Sequence, residues 1–411
     1  MRRQIDGEWK VAGLGVALAI GGWWAQSVLL AMAGVVVALT CSVLWITQHE
    51  CLTGVSYRRR LAQHRANFGE EVALDVELVN DKLLPLTWLH VEDLMPMALT
   101  IRGGTVVSTR SERTRELQHV LPMLPFQRIR RHLVVVCDRR GVHRFGPAHL
   151  RSGDPIGYRQ RLGSAPFSEE ILVYPKVFRL EPPGIASRVP LGDYRSRMRL
   201  LGDPSRVAGV RDYRPGDPLR HIDWRATART SSLLVREFEP SSALRVATFV
   251  DFAVPQQHWD TPNPPELEFT VAVGASVVSD LAARRVPVGL YAASTVEGRG
   301  IARPPTSSPA ALPEMLELLA RASVFSQTGF ARALVEEGGR LAGGTTLVVV
   351  AADYPEPTLI ALAELRRRLA ITAIWVNTGK GAPPPPDLVD ARLEARYDDD
   401  WQNQASLELA A

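Results

Sequence analysis

Arginine and aspartate side chains that could bind a partner are concentrated between residues 211 and 229. The candidates are Arg211, Tyr213, Asp217, Arg220, Asp223, Trp224, Arg225 and Arg229. A guanidinium is a planar fork of N–H donors that fits a carboxylate with two hydrogen bonds, so such pairs can define a rigid surface. Two interpretations stay open: a structural network that ties a loop to the next domain, or a docking surface in which Arg220, Arg225 and Arg229 contact carboxylates of a partner.

A catalytic role for this block is disfavoured. Asp217, His221 and Asp223 are its titratable candidates, but no serine, cysteine or metal-ligand pattern completes a site. The histidines between residues 90 and 149 form no HxH or HxxxH pair, and the three cysteines form no CxxC motif. We therefore expect a protein that is not an enzyme and that holds no zinc or disulfide framework.

The length and the net charge of the chain further limit the classes of protein to which it could belong. A chain of 411 residues is too long for one ordinary core and suggests two or three domains. The formal net charge of +4 is too small an excess to indicate nucleic-acid binding. The positions of the charges carry more information than their sum.

An uncharged apolar stretch from Val11 to Ile46 predicts a membrane hairpin within residues 1–60. One straight helix of that length would span about 54 Å, whereas the hydrocarbon core is about 30 Å thick. A turn near Gly21–Ser27 divides the stretch into two spans. Basic flanks at Arg2, Arg3 and Lys10 and at Arg58, Arg59 and Arg60 then lie on one side, which the positive-inside rule assigns to the cytoplasm.

The remaining segments predict two folded regions of different class. Residues 61–180 alternate apolar and polar positions, as over 72–78, which favours an antiparallel β-sandwich-like domain. Residues 241–380 alternate apolar strands with helices, beginning with a strand over Arg245–Asp251, which favours a parallel sheet covered on both faces. The prolines and aspartates of residues 381–411 are typical of a linker and a solvated acidic tail. The predicted fold class is thus α/β with an added all-β domain and an N-terminal transmembrane hairpin.

The block over residues 181–240 resembles a bacterial domain-of-unknown-function family, DUF58. The family hallmark R-x-Y-x-P-G-D-x-x-R-x-I-D-W-x-x-x-A-R, followed by R-E-F-E, is matched by Arg211, Tyr213, Pro215, Gly216, Asp217, Arg220, Ile222, Asp223, Trp224, Ala228, Arg229 and Arg236-Glu237-Phe238-Glu239. Two further family elements are matched by Asp154-Pro155-Ile156-Gly157 and Val173-Tyr174-Pro175. The resemblance extends over most of the chain.

The resemblance implies two N-terminal spans, a β-rich insert and a von Willebrand factor A-like C-terminal domain. Such a domain normally carries D-x-S-x-S at the end of its first strand to help bind a divalent ion. This chain keeps Asp251 but has Ala253 and Pro255 at the serine positions, so the site looks degraded. Thr328 and Asp353 are the remnants of the later ligands, and they leave weak Mg²⁺ binding open.

The expected function is that of a membrane-anchored, non-catalytic scaffold or adaptor in the cytoplasmic membrane, with its soluble domains facing the cytoplasm. The resemblance suggests a MoxR-type AAA ATPase as protein partner, because family members are often encoded beside such ATPases. A Mg²⁺-dependent adhesion-like binding protein and a cell-envelope enzyme are the alternatives. The sequence indicates no cofactor and no oligomeric state.

Overall fold

A computed structural model describes residues 6–108, 114–155, 160–181, 207–214, 217, 219–230, 232–238, 244–253, 264–296, 299–322 and 329–410. The chain divides into two compact units, Met1–Tyr174 and Pro175–Ala411. The basic residues Arg2 and Arg3 lie outside the described residues.

Two helices begin the first unit and pack against each other as an antiparallel pair. They are α1, Asp6–Trp24, and α2, Val28–Glu50. Small residues let the backbones touch, since a Cβ added to Gly22 would lie 2.3 Å from the Ala31 nitrogen, and one on Gly34 would lie 2.3 Å from the Ala19 nitrogen. Gly22 and Gly34 therefore serve packing between the two helices of the chain.

The surface of α2 is apolar, and most of its residues are exposed. Its 23 residues span about 34 Å, and only Gly34 among them is buried. Within the described part of the chain, α2 is the one helix long and apolar enough to cross a membrane, and the apolar part of α1, Gly13–Trp24, is shorter. This helix indicates an association with a membrane.

The rest of the first unit is built from β-strands. Their bounds are β1 Val55–Leu61, β2 Arg65–Ala66, β3 Glu71–Asn80, β4 Leu86–Pro96, β5 Thr100–Arg102, β6 Val106–Ser108, β7 Thr114–Met123, β8 Arg128–Val136, β9 Gly141–Phe145, β10 Ala148–Gly153, β11 Gln160–Ala165 and β12 Glu169–Val173. The sheet orders are β1-β3-β8-β5, β11-β10-β4-β7-β6 and β2-β12-β9. Side chains of the first two sheets, such as Leu74 and Leu89, share one core, and the alternation predicted over 72–78 is confirmed in β3.

The second unit contains the arginine-rich block and a mixed α/β domain. Its strands are β13 Arg179–Glu181, β14 Val207–Asp212, β15 Leu234–Phe238, β16 Arg245–Val250, β17 Val288–Val296, β18 Arg299–Thr306, β19 Thr345–Ala351, β20 Ala370–Asn377, β21 Ala391–Arg396 and β22 Ser406–Ala410. Its helices are α3 Trp224–Thr230, α4 Pro265–Ala283, α5 Ala311–Arg321, α6 Phe330–Arg340 and α7 Glu356–Leu365, with 3₁₀ turns at Leu219–His221, Pro386–Leu388 and Trp401–Asn403.

The large sheet is doubly wound. Its order is β13-β22-β21-β20-β19-β16-β17-β18, and the strands β17, β16, β19, β20 and β21 are parallel. Successive residues of β16 face opposite layers: Val246 and Val250 pack with α4, while Ala247 and Phe249 pack with α6 and α7. The predicted parallel sheet with helices on both faces is confirmed. The strand order reverses between β16 and β19, because β17 is added on one side of β16 and β19 on the other.

The prediction of a linker and solvated tail over residues 381–411 is wrong. Strand β21 pairs with β20, β22 pairs with both β21 and β13, and the Trp401 side chain is buried. The acidic run at 398–400 is a capped turn, in which the Asp398 carboxylate accepts hydrogen bonds from the Asp400 backbone and the Gln404 side chain. The charges therefore belong to a tight connection between two strands of the sheet.

Replacing Trp401 with alanine is expected to lower the free energy of unfolding by about 3–5 kcal/mol, as for other buried aromatic residues. The ring packs edge-on against Phe178 and Phe269, and these contacts would be lost. The exposed neighbour Gln402 is the control, and Gln402→Ala should stay within about 0.5 kcal/mol of wild type. Urea unfolding of residues 175–411 measures both, and equal effects would contradict a structural role for the C-terminal strands.

Candidate functional site

The arginine-rich block folds as a β-hairpin with a short helix in its connection. Strand β14 pairs antiparallel with β15, and Ile222 forms a further bridge to Val235. Ile222 and Val235 are buried, and they make a small apolar centre under the charged residues. The segment between the strands contains the 3₁₀ turn at Leu219–His221 and then α3.

Arg211 and Asp217 form a two-pronged ion pair across this connection. The two terminal nitrogens of Arg211 donate to the two carboxylate oxygens of Asp217 at 2.7 and 2.8 Å. The Arg214 backbone N–H donates to the same carboxylate at 2.9 Å. The hydrogen bonds from Arg211 and then from Arg214 lower the pKa of Asp217 to about 2. Pro215 and Gly216 of this turn lie outside the described residues.

Asp223 caps α3 and joins it to β15. Its Oδ1 accepts the backbone N–H groups of Arg225 and Ala226 at 3.0 and 3.1 Å, as an N-cap aspartate does. Its Oδ2 accepts the Nε–H of Arg236 at 3.1 Å. The hydrogen bond from the Ala226 N–H leads the causes that lower the pKa of Asp223. One carboxylate thus fixes both the start of the helix and its position on the strand.

The outward surface of α3 carries three of the predicted site residues. Trp224 is 65% exposed, and Arg225 and Arg229 are exposed as well. The two arginines are four residues apart, so they lie one turn apart on the same face. Neither guanidinium forms an ion pair with a described residue. This surface, formed by Trp224, Arg225 and Arg229, is called the α3 surface below.

The structure therefore sorts the eight predicted residues into different roles. Arg211, Asp217 and Asp223 make hydrogen bonds inside the block, whereas the α3 surface faces outward. The Tyr213 N–H donates to the Leu233 carbonyl at 2.9 Å and continues the strand pairing. Arg220 lies in the 3₁₀ turn, and its side chain is outside the described part of the structure.

Sequence reasoning missed the structural role of Arg236. The residue belongs to the R-E-F-E element, but its partner Asp223 is thirteen positions earlier in the chain. The available signal was the hairpin itself: Arg236 pairs in register with Val210 on the neighbouring strand, next to the segment that leads into α3. Both the R-x-Y-x-P-G-D-x-x-R-x-I-D-W part of the motif and its R-E-F-E part carry charged residues, and a hairpin between them favours ion pairs from one part to the other.

A second group of candidate residues lies at the carboxyl ends of β16 and β19. Asp251 follows β16 and is buried, and its Oδ1 accepts the Ala253 N–H at 2.9 Å. Asp353 follows β19, and its Oδ1 accepts the N–H groups of Tyr354 and Ala382, both at 3.0 Å. Burial, with a smaller contribution from Asp353, raises the pKa of Asp251 to about 7.

This position in the sheet is where doubly wound folds bind ligands. The crevice lies at the carboxyl ends of two adjacent parallel strands whose following helices pack on opposite faces of the sheet. β16 and β19 are such a pair, because α4 follows β16 on one face and α7 follows β19 on the other. Of the three predicted metal ligands, Asp251 and Asp353 come to this edge, while Thr328 lies outside the described residues. Among the described residues, this edge of the sheet included, no group of three or more His, Cys, Asp or Glu side chains could hold a metal ion. The two carboxylates are engaged by backbone N–H groups.

Residues 209–383 match the model of the family described as "Protein of unknown function DUF58". The match supports the resemblance over the arginine-rich block and most of the α/β domain. The Bacillus subtilis (strain 168) protein "Uncharacterized protein YeaD" is 24% identical over 207 residues, which are 47% of this chain and 46% of the relative. The alignment therefore spans less than half the length of that relative.

Three of the solved structures that the chain resembles are remote matches. The first, described as "AvmM Catalyzes Macrocyclization in Alchivemycin A Biosynthesis", covers 29% of this chain and 88% of its own, with 10% identity and a TM-score of 0.21. A CARDB domain from Pyrococcus furiosus covers 29% and 91%, with 8% identity and a TM-score of 0.19. A PapD-like domain of human CEP192 covers 29% and 85%, with 13% identity and a TM-score of 0.19. At these TM-scores the matches carry no argument about fold or function.

The raised pKa of Asp251 predicts a specific pH dependence of stability. The folded chain keeps the Asp251 proton up to about pH 7, whereas an unfolded aspartate releases it near 3.8. The folded state therefore binds the extra proton between these values, and the free energy of unfolding falls as the pH rises through this window, by at most about 1.4 kcal/mol per pH unit. Asp251→Asn should remove this contribution.

Urea unfolding of residues 175–411 at a series of pH values measures this effect. The expected result is a wild-type curve that falls relative to the Asp251→Asn curve between about pH 4 and pH 7. Parallel curves would show that the Asp251 carboxyl is ionised throughout, contrary to its buried position.

Proposed function

We propose that this protein is a membrane-anchored, non-catalytic scaffold that binds another protein through the α3 surface. The proposal rests on the different contacts that the charged residues of the block make. The carboxylates of Asp217 and Asp223 are used inside the block. An exposed tryptophan and two exposed arginines are left on α3, whose start Asp223 caps.

The anchor is the α1–α2 hairpin, which crosses the membrane twice and returns the chain to its starting side. Its supports are the apolar exposed surface of α2, the tight antiparallel packing with α1, and the basic residues on both flanks. Arg58 and Arg60 after the hairpin are exposed, whereas the Arg59 side chain is buried against Asp93. The positive-inside rule then assigns both folded units to the cytoplasm.

The α/β domain is the von Willebrand factor A-like part of the scaffold. The doubly wound strand order and the place of Asp251 at the end of the first parallel strand support this assignment. The arginine-rich block precedes the domain directly in sequence. In this arrangement the domain provides a rigid base, and the block provides the residues that contact the partner.

The partner's surface is acidic where it meets the α3 surface. Guanidinium groups bind carboxylates in pairs, and tryptophan and arginine are enriched among the residues that dominate protein interfaces. The family resemblance suggests a MoxR-type AAA ATPase as this partner. The role that follows is to hold such an ATPase at the membrane for envelope maintenance or complex assembly.

Reversing the charge of the α3 surface is expected to abolish partner binding while leaving the fold intact. In Arg225→Glu with Arg229→Glu, two exposed cations become anions that repel an acidic partner, and recovery of the partner should fall about tenfold or more. Neither side chain holds the block together, so folding is retained. Crosslinking and pull-down of the full chain from its native membrane measure the recovery.

A matched control makes the same change of charge elsewhere in the second unit. Arg392 and Arg396 on β21 are exposed and also four residues apart, so Arg392→Glu with Arg396→Glu changes the net charge equally. The control should recover the partner normally. If the two double variants behave alike, the block has only a structural role, and the binding surface lies elsewhere.

A Mg²⁺-dependent binding site is the second candidate. It is favoured by the two carboxylates, Asp251 and Asp353, at the reversal point of the sheet, because oxygen ligands suit Mg²⁺. Isothermal titration of the full chain with MgCl₂ at pH 8 should then show binding heat that Asp251→Asn removes. Absence of heat from the wild-type chain would rule this candidate out and leave the scaffold proposal unaffected.

A further inference from the structure

Two loops of the β-rich domain expose large apolar side chains. Leu83 lies between β3 and β4 and is 78% exposed. Leu124 and Phe126 lie between β7 and β8 and are 66% and 64% exposed. Isolated apolar residues are common on protein surfaces, but three of them on adjacent loops indicate an interaction site.

Hydrogen bonds hold these two loops together as one rigid feature. The buried Asn80 side chain donates from Nδ2 to the Leu84 carbonyl at 3.1 Å and to the Leu124 carbonyl at 2.9 Å. The Phe126 N–H donates to the Lys82 carbonyl at 3.2 Å. Residues 81–85 and 124–127 are called the paired loops below.

The paired loops are also fastened to the point where α2 ends. The Lys82 ammonium group donates to the Thr53 carbonyl at 2.7 Å and to the Cys51 carbonyl. The Asp81 N–H donates to the Gly54 carbonyl at 2.8 Å. A cation beside the last carbonyls of a helix is further stabilised by the helix dipole. These contacts leave α2 no flexible linker to the β-rich domain.

The end of α2 also marks the level of the membrane surface. Trp45 stacks on His49 in the last turns of the helix, with ring centroids 4.9 Å apart, and tryptophan is enriched at membrane interfaces. Arg161 donates to the carbonyl of His49. Arg128 begins β8 directly after the second loop; its side chain is more than half exposed, and its Nε lies 3.6 Å from a carboxylate oxygen of Glu77. Cations at this level favour anionic headgroups.

We propose that the paired loops insert Leu83, Leu124 and Phe126 into the headgroup region of the same membrane that α2 crosses. The inference rests on the proposed anchor and adds a second, peripheral contact to it. Apolar side chains flanked by basic ones are stable at the boundary of headgroups and acyl chains. The lipid surface is the occupant because the contacts of Lys82 and Asp81 place the loops beside the membrane end of α2. The contact fixes the orientation of the β-rich domain on the membrane.

The far end of the same strands supplies a matched reference. Strand β4 runs from Leu86 beside the paired loops to Pro96, a distance of about 33 Å. Met97 follows it and is 41% exposed. A probe at Met97 is therefore on the same domain, on an exposed apolar position, and away from the proposed contact.

The test uses the full chain reconstituted into vesicles of phosphatidylcholine and phosphatidylglycerol. The fluorophore NBD is attached to one cysteine at a time, at Phe126→Cys, Met97→Cys or Val36→Cys in α2. Each protein is titrated with iodide in the water and compared in vesicles with and without nitroxide-headgroup lipid and acyl-chain nitroxide lipid. The three native cysteines, Cys41, Cys51 and Cys137, are first replaced by alanine so that the fluorophore labels only the introduced cysteine.

The expected result is that NBD at Phe126 is quenched by the headgroup nitroxide and has a several-fold smaller iodide quenching constant than NBD at Met97. NBD at Val36 should be quenched by the acyl-chain nitroxide. If Val36 is quenched in this way but Phe126 is as open to iodide as Met97, the inference is overturned while the anchor stands. If Val36 is not quenched by lipid, the anchor fails and the inference fails with it.

Discussion

The apolar, exposed surface of α2 is the constraint on which the rest of the account depends. This helix buries one glycine and exposes most of its leucines and valines. Contact of these apolar side chains with water is unfavourable, because their transfer out of water would release free energy. The acyl chains of a bilayer remove that cost. They offer no hydrogen-bond partners to the backbone, and a helix needs none because its N–H and C=O groups bond to each other. The short connection after Glu50 then holds the β-rich domain close to wherever the helix ends.

A second constraint operates in the arginine-rich block, where two carboxylates decide which cations are available. Asp217 holds Arg211, and Asp223 holds both the start of α3 and Arg236. Without these pairs a helix of seven residues would be too short to persist by itself. The pairs thus explain how so short a helix can present a tryptophan and two arginines in a defined arrangement. Fold alone would not identify the function, since doubly wound sheets serve many chemistries.

Much of the fold could be predicted because local patterns agree with the final packing. The period-two alternation of β3 faces one core, and the largely apolar strand β16 is buried at five successive positions in a parallel sheet. The C-terminal strands could not be predicted in this way. Strand β22 alternates apolar and polar residues over only five positions, and the neighbouring aspartates suggested solvent exposure. Their role as turn caps depends on contacts that the composition of the segment does not reveal.

The residues that belong to the candidate site could be predicted from the sequence, but the role of each residue could not. The dense motif identified the residues around 211–229, yet local sequence does not state which arginine pairs with which aspartate. Arg236 was assigned no role because its partner lies across a hairpin, and the burial of Arg59 beside Asp93 depends on strands far apart in sequence. Pairings over such distances follow from strand register, which is established only when the sheet forms.

Flotation of the reconstituted chain after an alkaline carbonate wash tests the central claim, that the N-terminal hairpin anchors this protein in a bilayer. The comparison is between the full chain and a chain that begins at Cys51, both mixed with vesicles during refolding. We expect the full chain to float with the vesicles after the wash and the shortened chain to be released. Release of the full chain by the wash would contradict an inserted anchor, because an inserted hairpin is not removed by breaking ionic contacts.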